Sequence, residues 1–151
     1  FKGLAVDQYS KMKTSEICEL PIQRIADDAV LFMWTTYLQL EDCFKVAAAW
    51  GFRYRTAAFT WVKFNKNNTP FFGLGFWTRS NSEVCLIFTK GNYPRRMSNK
   101  VSSVILSQRE RHSKKPDVAR DRIVDLMGDL PRIELFARQY ADGWDCWGNE
   151  I

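Results

Sequence analysis

An α/β domain, three-layer in build with a mainly parallel sheet, is the fold class that the apolar periodicity of this chain predicts. Three observations carry the prediction. Residues 29–35 (AVLFMWT) form a continuous apolar run, residues 38–50 carry helical periodicity directly after it, and further strand-like segments alternate with a second amphipathic segment towards the C-terminus.

The elements follow in order. Residues 14–20 read as a short helix, with Thr14 or Ser15 as its cap and Pro21 just beyond its end. The run at 29–35 is too short for a buried helix and rich in strand formers, so it reads as a central strand covered on both faces. Over residues 38–50, Leu40, Phe44, Ala47 and Ala48 recur at three- and four-residue spacing and Gly51 follows as a stop, which predicts a helix packed on the sheet. Residues 53–63, aromatic and β-branched, give a second strand, and residues 65–75 (NKNNTPFFGLG) carry loop chemistry. Residues 83–89 and 101–107 are the third and fourth strands. Residues 115–126 open with Pro116 near the first turn, place Val118, Ile123 and Leu126 on one stripe and stop before Gly128, the punctuation of a helix. Residues 132–138 (RIELFAR) give a fifth strand, and 143–150 are a tryptophan-rich terminal segment without internal repeats. Ligands of such sheets bind at the carboxyl ends of strands, so functional residues are expected just after Trp34, Trp61 and Phe136.

Composition narrows the class. With 46% hydrophobic and 15% aromatic residues, the 151-residue chain has the material for one core, which excludes a disordered, collagen-like or coiled-coil chain. No apolar run approaches the roughly 20 residues of a membrane span, so no membrane partner is expected. No basic n-region with a small-residue cleavage site follows Phe1, and a cytoplasmic setting is expected. Cys18, Cys43, Cys85 and Cys146 are widely spaced and form no CxxC pair; free, mostly buried thiols are the plain reading. A single histidine, His112, argues against both a zinc site and a histidine-based nucleophilic mechanism.

The net charge is +5, and it is unevenly spread: residues 90–122 hold ten Lys/Arg against three acids. Such a stretch is either a polyanion-binding surface or a solvated face with a helix carrying its own ion pairs. There is no P-loop, no GxGxxG after a first strand and no GxSxG elbow, and the GLG within residues 71–77 (FFGLGFW) is a weak phosphate cradle beside the alternative of an aromatic loop. Three features rise above this background. Aromatic rings at strand ends and in loops, among them Trp34, Trp61, Phe71, Phe72, Phe76, Trp77, Trp144 and Trp147, stand near Lys63, Lys66 and Arg79, as a pocket needs to stack on a nucleobase while holding phosphate. Residues 109–117 (RERHSKKPD) bring Arg109, Arg111, Lys114, Lys115 and His112 to the start of a helix, a suitable place for a carboxylate or phosphate. After the last strand, Arg138, Asn149 and Glu150 offer donors and acceptors for a ribose and an amino-acid carboxylate. For each of these, ordinary core packing or a solvated loop is the competing structural explanation.

Seven blocks, WTT (34–36), AWGFRY (49–54), TWVK (60–63), GLGFWTRSNSEVCL (73–86), RHSKKPD (111–117), RIELFARQ (132–139) and GWDCWGNE (143–150), occur in the order found in the MT-A70 family. The chain resembles that family of S-adenosylmethionine-dependent adenine N6-methyltransferases from about Tyr9 onward, in its short bacterial or phage DNA-modifying form. The resemblance implies a Rossmann-like methyltransferase fold with permuted motif order, S-adenosylmethionine as cofactor and DNA as partner, with RNA as the alternative. It implies cofactor contacts from Lys115 to the methionine carboxylate, from Arg138 and Gln139 on the ribose side, and from Asn149 and Glu150. On the substrate side it places Trp34 and Trp61 near the target adenine and Glu83, an acid, close to them. Lys63, Trp77 and Arg79 fall in nucleic-acid-facing loops, and Arg95, Arg96, Arg109 and Arg111 belong to the basic stretch that would hold backbone phosphates.

One departure stands beside this agreement. The family's Asp-Pro-Pro-Trp signature, which would end a strand upstream of this sequence, occurs nowhere in the chain. The expectation is a single methyltransferase domain over residues 1–151 that lacks its N-terminal strand and that motif. A chain naturally without it would be a non-catalytic, nucleic-acid-binding relative.

Overall fold

The computed structural model describes residues 12–111 and 114–151. They fall into two compact units, the first drawn from residues up to Arg95 together with the segment from Ser102, the second from Arg96–Val101 and Lys114–Ile151. His112, weighed above as a catalytic group, lies outside the described residues.

The first unit is built on a four-stranded sheet in the order β1-β3-β2-β4, with β1 at Ala29–Thr35, β2 at Arg53–Phe64, β3 at Ser82–Lys90 and β4 at Val104–Gln108. The sheet is not mainly parallel. β3 runs antiparallel to both β1 and β2, and only β2 and β4 pair in parallel. The connection decides this: residues 65–81 contain no helix and return the chain directly alongside β2, and a direct return makes antiparallel neighbours, whereas parallel neighbours need a crossover. Apolar periodicity carries no information on strand direction. Even so, β1, β2 and β4 all point the same way, so their carboxyl ends share one edge of the sheet with the start of β3.

A second correction concerns β1. Among the described residues it is an edge strand, mostly half-buried, and only Thr35 is fully buried. The central, buried strand is β3, flanked on both sides and closed off from solvent over Glu83–Leu86 and at Phe88 and Thr89. An unbroken apolar run does not distinguish these two positions.

Helix α1, Thr14–Cys18, and helix α2, Leu40–Ala49, are joined where the Trp50 Nε1–H donates to the Ile17 carbonyl at 2.9 Å. α2 ends as its sequence predicts: Gly51 takes φ +86°, and the Phe52 N–H reaches back to the Ala47 carbonyl at 2.9 Å. Its apolar stripe meets the sheet through Phe44 against Phe88 and Tyr54, and through Cys43 against Met33. Within this unit the helices cover that face of the sheet. Phe59, Phe88, Ile105 and Cys85 are its most completely buried side chains.

The second unit holds α3, Val118–Met127, and a two-stranded parallel sheet of β5, Ile133–Leu135, and β6, Asp145–Trp147. The strand expected over 132–138 is thus only three residues long and stands in a separate sheet. Phe136 ends it by taking φ +58°, a left-handed conformation that leaves the ladder, although the Ala137 N–H still donates to the Trp147 carbonyl at 2.9 Å.

Candidate active site

The shared carboxyl edge gathers four of the residues singled out in the first unit, Trp34, Trp61, Lys63 and Glu83. Side chains alternate along a strand, and the register pairs Trp34 with Cys85, Trp61 with Glu83 and Lys63 with Ser107. Trp34, Trp61, Lys63 and Glu83 therefore project from one face, opposite the face covered by α2. The two indole rings meet edge-on, with centroids 6.2 Å apart at 78°, and the Trp61 Nε1–H donates to the Ser107 carbonyl at 3.1 Å. Trp61 is 3% exposed and Glu83 7%.

Burying Glu83 requires a partner, and Lys63 supplies it: Nζ lies 2.7 Å from Oε1, with both side chains largely removed from solvent. The same ammonium stands over the Trp61 ring at 5.1 Å and the Phe71 ring at 5.9 Å, while the Arg109 guanidinium covers Phe71 at 4.0 Å. Lys63, expected in a nucleic-acid-facing loop, lies in strand β2, where it pairs with Glu83. Phe71, one of the loop aromatics singled out in the sequence, joins the cluster, and Ser107 is a member that sequence reading missed. Ser107 Oγ is buried without a hydrogen-bond partner. Its position in register with Lys63 could not be foreseen without the parallel β2–β4 pairing.

The other cations singled out in the sequence have different surroundings. Trp77 is 99% exposed on the loop between β2 and β3, with Arg79 beside it, also exposed. Arg95 lies against Tyr93, its guanidinium 4.2 Å from the ring centroid; Arg96 donates to the Ser98 carbonyl in the second unit; Arg111 is exposed. A wider signal was available in the sequence: between Asp42 and Glu110 the one acid is Glu83. Since Glu83 is buried against Lys63, the charge this stretch presents to solvent is positive throughout, and the basic region begins well before residue 90.

In the second unit, β5 and β6 run in parallel and deliver Arg138 and Glu150 just beyond their carboxyl ends, where Arg138 Nε and Glu150 Oε2 are 3.6 Å apart. Asn149 is exposed there and Gln139 half-buried. Gly148 is required at this approach, because a Cβ would run into the backbone of Phe136 and Ala137. Lys115 is half-buried before a buried Pro116, with α3 starting at Val118, two residues later than the proline. An ammonium, a guanidinium–carboxylate pair and two amides form a donor set that fits a molecule carrying a carboxylate and a ribose, so these residues are compatible with S-adenosylmethionine. In the same unit Arg120 of α3 bonds Glu134 of β5 at 2.8 and 3.1 Å and Asp117 at 2.9 Å. Partial burial alone would lower this guanidinium's pKa; the Glu134 and Asp117 carboxylates hold it above its ordinary value.

The MT-A70 family profile matches residues 4–150, nearly the whole chain. This chain belongs to the MT-A70 family. It is 39% identical, over its full length and 63% of the relative's, to the type II methyltransferase M.MunI of a Mycoplasma species. It is 29% identical over 95% of its length to the N(6)-adenosine-methyltransferase catalytic subunit METTL3 of Homo sapiens, covering 25% of that protein, and 29% identical to an MT-A70-like N(6)-adenosine-methyltransferase of Arabidopsis thaliana, covering 21%. The chain thus spans under two thirds of the length of these relatives. Among the described residues no helix is long and apolar enough to cross a membrane.

Proposed function

We propose that the protein containing this chain transfers a methyl group from S-adenosylmethionine to the N6 amino group of adenine in DNA. The observation that carries the reading is the clustering of Trp34, Trp61, Lys63 and Glu83 on one face at the carboxyl edge of the sheet, within the MT-A70 family. The preference for DNA over RNA rests on the higher identity to the type II methyltransferase than to the N(6)-adenosine-methyltransferases.

Each group has a task. The rings of Trp34 and Trp61 receive an extruded adenine by stacking and edge contact. Glu83 accepts a hydrogen bond from the adenine amino group and orients its lone pair for attack; Lys63 keeps that carboxylate charged and fixed in direction. In the second unit Lys115 binds the methionine carboxylate, Arg138, Gln139 and Glu150 the ribose hydroxyls, and Asn149 a further polar edge of the cofactor. When bound, S-adenosylmethionine supplies an activated methyl on a sulfonium, so the protein contributes position and polarity rather than a covalent intermediate. The exposed cations hold backbone phosphates.

The test is nucleoside analysis after incubating the full-length gene product with labelled S-adenosylmethionine and either duplex DNA or RNA of the same sequence. Label in N6-methyldeoxyadenosine supports the proposal. Label only in the RNA nucleoside would move the substrate to RNA, and label in neither would contradict methyl transfer to adenine.

A further inference from the structure

The segment between β2 and β3 exposes apolar surface without a covering element in its unit: Phe72 is 66% exposed, Leu74 77%, Phe76 89% and Trp77 99%. Four large apolar side chains left in water within six residues mark a contact surface rather than ordinary surface scatter. We propose that this loop, with Trp77 at its tip, is a wedge that enters the base stack of duplex DNA at the step from which the target adenine is extruded. The inference rests on the methyltransferase reading above and adds to it a positioning residue and a mode of opening the duplex.

The loop is anchored like a lever. Phe71 N–H donates to the Lys63 carbonyl at 3.1 Å, Lys63 N–H to the Asn81 carbonyl at 2.9 Å and Gly73 N–H to the Ser80 carbonyl at 2.8 Å, so its two legs are bonded to each other and to β2. At Gly73 and Gly75 a Cβ would collide with the carbonyls of Ser80 and Thr78; only glycine lets the chain turn this tightly and push residues 76–77 outward. The base of the loop is the Phe71 ring, held under the Lys63 and Arg109 cations, and Lys63 also stands over Trp61. The wedge and the adenine pocket are therefore rooted in the same few residues.

Charge selects the occupant. From Cys43 to Ser82 the sequence contains no acid, and Lys66 and Arg79 flank the aromatic tip. A second protein surface would need a matching acidic rim, whereas a nucleic-acid duplex offers phosphates on both sides of a stack of apolar faces. Extrusion costs the target base its stacking, and an inserted aromatic ring compensates by stacking in its place.

The experiment compares methyl transfer by the full-length protein and its Trp77→Ala and Trp77→Phe variants on two duplexes of one methylated sequence. In one the target adenine is paired with thymine; in the other it faces an abasic site and is already loosened. Removing the ring should lower kcat/KM on the paired duplex by about 5- to 150-fold, the equivalent of one stacking contact. The abasic duplex should largely rescue Trp77→Ala, and Trp77→Phe should retain most activity on both. Equal losses on the two duplexes, or no loss on either, would overturn the wedge. So would a change in oligomeric mass of Trp77→Ala, which would assign the loop to a second copy of the chain. If wild type methylates neither duplex, the failure lies with the methyltransferase reading itself.

Discussion

Glu83 and Lys63 show how much one buried pair decides. A carboxylate at 7% exposure is tolerable because an ammonium sits 2.7 Å away, and removing one partner leaves the other charge uncompensated. Lys63→Met should destabilise the fold by about 3–5 kcal/mol in chemical denaturation, more than Glu83→Gln, which keeps the shape and a hydrogen-bond acceptor. Cys43 gives a second residue-scale prediction. Burial pushes its thiol up to about 11, against a hydrogen bond from Thr35 that lowers it. Its folded-state pKa is raised, so the associated stability is complete below pH 9.0, the ordinary value, and is lost as pH rises towards 11. In thiol labelling of the native protein near pH 8, buried Cys43 and Cys85 should lag well behind half-buried Cys18 and Cys146. At this scale the sequence was informative about residue type and less so about partnership. Trp34, Trp61, Phe71 and Glu83 could be singled out, but the pairing of Lys63 with Glu83 and the presence of Ser107 depend on register, which residue spacing along one strand does not contain.

Contacts between elements fix the second unit. α3 is fastened to β5 by the two-pronged Arg120–Glu134 contact, with Asp117 holding the same guanidinium. Arg120→Ala should cost about 1–3 kcal/mol of stability, and Arg120→Lys should recover only part of it because an ammonium cannot make the two-pronged contact. The measurement is a denaturation midpoint, with S-adenosylmethionine affinity as the functional readout. The helices and four of the strands were legible from periodicity and from glycine and proline punctuation, α2 with its Gly51 stop above all. Strand direction was not. The helix-free return through residues 65–81 makes β3 antiparallel, and the positive φ of Phe136 cuts the fifth strand short; both are backbone events that apolar patterning does not record.

At the scale of the whole molecule, the charge distribution predicts how it meets its partner. With Glu83 buried, residues 43–109 present positive charge alone, and affinity for DNA should fall steeply with salt. Replacing Lys66 and Arg79 with glutamine should reduce the slope of log affinity against log salt by about 1–2, without a matching loss of stability. The central claim is that one face at the carboxyl edge of the β1–β4 sheet receives the target adenine. It is tested most directly by the methyl-transfer rate of Glu83→Gln and Trp34→Ala in the full-length protein, with folding checked by circular dichroism and S-adenosylmethionine affinity by calorimetry. The predicted result is a loss of kcat/KM on DNA of about 100-fold or more for Glu83→Gln and a clear loss for Trp34→Ala, at unchanged cofactor affinity. Wild-type rates in both variants would contradict it.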